Sequence, residues 1–224
     1  LEKYKVVCDM DPIINFEGKL SLNGVCFYYD SEKLKMEVTI LETDMLKAQK
    51  IAMRMLSEVC NALATYLNNT INYEVISIQQ VGDHETVNFT SNDIFTSLVV
   101  RVPLNEKGAC KVQRLVDLSV KNENVHKVFR LINNPDFATW TTLYKVFEIV
   151  DRDQQIVNEG WLSSTKRSNF KRTANHPASS GDASRHGVPK SDKKDPPSKP
   201  MQLEEAEKLI RDLVESWLYK LMES

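Results

Sequence analysis

Residues 33–67 read KLKMEVTILETDMLKAQKIAMRMLSEVCNALATYL, and the spacing of their apolar side chains changes partway along. From Lys33 to Glu42, Leu34, Met36, Val38 and Ile40 alternate with more polar neighbours. That period of two marks a strand with one buried face. After Glu42, Met45, Ala48, Ala52, Met55, Leu56, Val59, Leu63 and Leu67 recur at helical steps. Thr43 or Asp44 supplies the side-chain oxygen that caps a helix running to about Leu67. Ile51, Met53 and Ala62 make much of its other face apolar as well, which predicts a helix buried against a sheet.

Working outward, YKVVCDM (4–10) has mixed alternation, PIINF (12–16) follows a turn-like Asp-Pro, and GVCFYYD (24–30) reads as a strand joined to 33–42 near Asp30-Ser31. INYEVISIQQV (71–81), TVNF with IFTSLVVRV (86–102) and KVQRLVDLSV (111–120) read as strands after it. A β-rich α+β domain with one long covering helix is therefore expected over residues 1–119.

Residues 120–224 carry a different period. ENVHKVFRLI (123–132) places Val125, Val128, Phe129 and Ile132 on one face, and Asn134-Pro135 stops it. ATWTTLYKVFEIVDRD (138–153) sets Trp140, Leu143, Tyr144, Phe147 and Val150 three or four residues apart, which reads as core. Further helices are expected over TKRSNFKRTAN (165–175) and from Leu203 to Leu221, giving a C-terminal helical bundle. Between these two, GVPKSDKKDPPSKP (187–200) is too polar and proline-rich to bury surface of its own, and a flexible basic loop is expected there.

The composition is that of an ordinary globular chain, with 42% hydrophobic and 27% charged residues among 224. No run of apolar residues approaches the length of a membrane span, no basic-then-apolar leader is present, and a chain starting at Leu1 is expected to lack part of its natural start. Cys8, Cys26, Cys60 and Cys110 form no CxxC pair and read as reduced thiols, so a cytoplasmic location is expected. Signatures for nucleotide phosphate loops, dinucleotide turns, serine hydrolases and zinc proteases are missing, and no cofactor or metal is expected. Asp9-Met10-Asp11 reads as a turn.

Charge is the informative feature. The chain total is only −2, yet residues 1–107 hold 10 basic and 15 acidic side chains, whereas residues 164–200 hold 9 basic and 3 acidic. A polyanion responds to such a local field rather than to the total. Within this tract, Lys166, Arg167, Lys171 and Arg172 recur at helical spacing and, with Asn175, are candidate contacts to a phosphate backbone. Arg172 with His176, and Arg185 with His186 between Gly181 and Gly187, are candidate catalytic groups. Metal-free RNA cleavage needs a base for the 2′-hydroxyl, an acid for the leaving oxygen and a cation for the developing charge. Arginine and histidine supply those chemistries.

A helical second half carrying late Arg and His residues resembles the HEPN superfamily over about residues 120–224. The resemblance implies a four- or five-helix bundle that often dimerises, and metal-independent ribonuclease activity of the kind used in defence and RNA processing. In that family four to six residues separate the Arg from the His. Here Arg172 and His176 enclose three, and Arg185 directly precedes His186. The resemblance would make Arg172 or Arg185 the phosphate cation and His176 or His186 the base.

Three functional expectations follow. The first is an interaction or regulatory protein associated with RNA or another polyanion. The second is a dimeric HEPN-like ribonuclease. The third is a structural oligomerisation module, in which Asn175 caps a helix C-terminus, Asp182 makes a turn and Arg185 pairs with an acid of the last helix. A homo-oligomer or a protein partner is expected under each, and a membrane under none.

Overall fold

The computed structural model describes residues 1–10, 14–31, 33–69, 71–82, 86–88, 102–180, 184 and 196–223. The chain has an α+β fold divided into two compact units, Leu1–Glu123 and Asn124–Ser224.

In the first unit, β1 (Glu2–Met10) pairs antiparallel with β5 (Lys33–Glu42) on one side and β6 (Tyr73–Gln80) on the other. β3 (Leu20–Leu22), β4 (Val25–Asp30) and β7 (Thr86–Asn88) complete a six-stranded sheet of order β3-β4-β5-β1-β6-β7. The alternation in 33–42 places Leu34, Met36, Val38 and Ile40 in the core, level with Tyr4, Val6, Cys8 and Met10 of β1. On the opposite face Asp9 stands across from Lys35, and their charged atoms lie 3.4 Å apart. Asp9 thus belongs to a strand rather than to a turn, and its cross-strand lysine compensates its burial.

The inner face is covered by α1 (Met45–Leu67), which among the strands packs chiefly on β5. Its Ala48 and Ala52 bring the backbone close to the strands, while Leu56, Val59 and Leu63 fill the space. At the start, Asp44 accepts a hydrogen bond from the Lys47 N–H at 2.8 Å. At the end, Asn68 adopts the left-handed conformation, and its N–H and that of Asn69 close on the carbonyls of the last turn.

The Asp44 cap carries a pH signature. The Lys47 N–H bond to its carboxylate holds the Asp44 pKa below the ordinary aspartate value. A folded-state pKa below the unfolded one adds stability that is fully present above the unfolded value and disappears as pH falls through the folded value. Asp44→Ala is expected to destabilise the fold at neutral pH, and the difference from the wild type is expected to fade below about pH 4. Urea midpoints measured at pH 7 and in acid check this, and Asp44→Asn should keep the cap without its pH dependence.

Burial also governs the thiols. Cys8 is pushed up to about 12 by desolvation, Cys60 is raised for the same reason, and Cys110 is exposed. Alkylation at pH 8 is expected to label Cys110 in the native protein, and Cys8 and Cys60 only after denaturation. Peptide mass spectrometry reads the order of modification.

Residues 111–120 do not form a strand. They belong to α2 (Glu106–Lys121), which packs on α1. Val112, Leu115, Val116 and Ser119 make its buried stripe at helical spacing, and the Asn105 side chain caps it by accepting from the Gly108 N–H. α2 runs past residue 119, and the first compact unit ends at Glu123. PIINF contributes only β2 (Ile14–Asn15), paired in parallel with β8 (Val102–Pro103) outside the main sheet. The strand expected at 94–102 otherwise lies outside the described residues.

The second unit is helical: α3 (Glu123–Ile132, whose first residue closes the preceding unit), α4 (Trp140–Gln154), α5 (Ser164–Asn175), the short α6 (Pro177–Ser180) and α7 (Leu203–Glu223). The stripe Trp140, Leu143, Tyr144, Phe147 and Val150 is buried throughout. Phe170 of α5 enters it, with ring centroids 6.1 Å from Tyr144 and 4.9 Å from Phe147. On α7, Trp217 is fully buried and donates its indole N–H to Asp153 at 2.7 Å. Among the described residues no helix is long and apolar enough to cross a membrane.

Candidate nucleic-acid interface

The basic tract is organised by α5. Ser163 starts this helix by accepting from the Lys166 N–H at 3.2 Å. Leu162, Phe170, Thr173 and Ala174 are buried, and this stripe decides where the cations point. At 3.6 residues per turn, Lys171 and Arg172 lie away from it, whereas Lys166 sits one turn before Phe170 and is exposed in the first turn. The four cations therefore spread around the helix rather than sharing a face.

Arg167 turns to α4. Its Nε lies 3.2 Å from both Asp151 carboxylate oxygens and its Nη2 lies 2.6 Å from Oδ2, a forked pairing. The hydrogen bonds to Asp151 raise the guanidinium pKa above its ordinary value, so this charge is permanent and already matched. Its expected role as a phosphate contact does not fit that geometry, because a phosphate would have to compete with a partner already in place.

Arg172 is exposed and donates from Nη2 to the Pro196 carbonyl at 3.4 Å. Thr173, completely buried, accepts from the Met201 N–H at 3.1 Å, and its carbonyl accepts from the Ser180 hydroxyl, also at 3.1 Å. One turn of α5 thereby fastens the chain at Ser180 and again where it returns at 196–201. Asn175 donates its side-chain amide to the Lys171 carbonyl one turn back, at 2.8 Å.

His176 closes α5 in an extended conformation, and its carbonyl accepts from the N–H groups of Ser179 and Ser180. Its Nδ1 accepts from the Ala178 N–H at 3.1 Å. A ring whose Nδ1 lone pair is engaged this way carries its proton on Nε2 when neutral. Nε2 is then a donor, whereas a base for a 2′-hydroxyl needs a free lone pair.

Arg167, Arg172 and His176 are thus drawn to α4, to the returning chain and to the α5–α6 turn respectively. Asp182, Arg185 and His186 lie outside the described residues. Among the described residues no three His, Cys, Asp or Glu side chains gather as a metal site.

Asp151 and Thr173, which organise this region, were not singled out from the sequence. Asp151 does carry a signal, because it follows Phe147 by one turn and so borders the core stripe of α4. Thr173 carries another, three residues after Phe170 on the buried side of α5. No protein-family profile, characterised protein or solved structure matches the chain.

Proposed function

We propose that this chain is an interaction and regulatory protein that holds RNA or another polyanion through cations of α5 and does not cut it. The observation that carries the reading is charge. Residues 163–180 contain four cations and no acid, and Lys166 and Lys171 have no ion-pair partner among the described residues. Lys166, Lys171 and Arg172 are the phosphate contacts in this reading, and Arg167 supports the helix through Asp151. The engaged Nδ1 of His176 favours binding over cleavage.

The test is fluorescence anisotropy of a labelled single-stranded RNA with the purified chain in EDTA, over roughly 50 to 200 mM salt. Binding is expected to weaken with salt while the RNA stays intact. Lys166→Glu with Lys171→Glu is expected to weaken it further and to flatten the salt dependence by about one unit of slope per lysine. Absence of salt-sensitive binding overturns the proposal. Cleavage abolished by His176→Ala replaces it with the ribonuclease reading.

A further inference from the structure

We draw no further inference here: the strongest candidate, the groove beside Trp161 lined by Glu215, Tyr219 and Lys220 of α7, satisfies its own polar groups through the Lys220–Glu159 ion pair, the Tyr219–Glu223 hydrogen bond and the Lys220 ammonium over the Trp161 ring, and nothing in the structure shows what covers it.

Discussion

Phe170→Ala is expected to destabilise the Asn124–Ser224 unit by about 3–5 kcal/mol. The ring is completely buried, and Trp140, Tyr144 and Phe147 surround it with centroids 4.9 to 6.2 Å away. Truncation removes its burial and also leaves a cavity whose aromatic walls collapse only partly. Aromatic pairs at these separations contribute about 0.5–1.5 kcal/mol beyond area alone. The loss compares with a typical total of about 5–15 kcal/mol for a whole domain, so a large fraction of the unit's stability is at stake. All three tryptophans, Trp140, Trp161 and Trp217, lie in this unit, so their fluorescence reports its unfolding in urea. Phe170→Leu should lose less, because it keeps most of the volume. A Phe170→Ala protein that unfolds at the wild-type urea concentration would show that α5 does not anchor the bundle.

The second large effect is expected at Trp217. Trp217→Ala should cost about 3–5 kcal/mol through lost burial, as for other large core residues. Trp217→Phe separates burial from the hydrogen bond. It retains an aromatic body but leaves Asp153 Oδ2 without its 2.7 Å indole donor. Asp153 is exposed and its Oδ2 also accepts from Gln154, so water and that amide replace the indole and a net loss of about 0.5–1.5 kcal/mol is expected for the phenylalanine variant. Urea midpoints followed by circular dichroism measure both variants, since the fluorescence of this tryptophan is removed with it. Equal stability of Trp217→Phe and the wild type would show that packing alone holds α7 to α4.

The elements that could be read from the sequence are those with a long, clean period. The strand at 33–42, the helix beginning at Asp44 and the α4 stripe each hold enough repeats for burial to select one conformation. Residues 111–120 read as a strand because their three valines favour strands, whereas their leucines suit the helix that forms. Of the apolar side chains there, Val112, Leu115 and Val116 are buried beside Ser119, Leu118 and Val120 fall outside the stripe, and packing against α1 favours the helix. The Asn23-Gly24 hairpin has a local sequence signal of its own. Both residues have positive φ, 47° and 78°, between the paired Leu22 and Val25, and Asn-Gly is the dipeptide that such a turn favours.

The basic tract shows the other limit. Sequence spacing identified a cationic helix but could not say which cations remain open to a partner. Asp151 takes Arg167 from 16 residues away, and Thr173 takes the Met201 N–H from 28 residues away. Helical spacing governs neighbours within a turn or two, because it is a property of the local backbone. Pairings across longer separations depend on where the chain returns, which packing around Phe170 decides. By itself, then, the sequence determined an α+β chain with a strand-rich first part, a helical second part and a charge excess at 164–200. Only the tertiary structure decided that Arg167 and Thr173 act as internal fastenings, because their partners are set by the folded path rather than by adjacency.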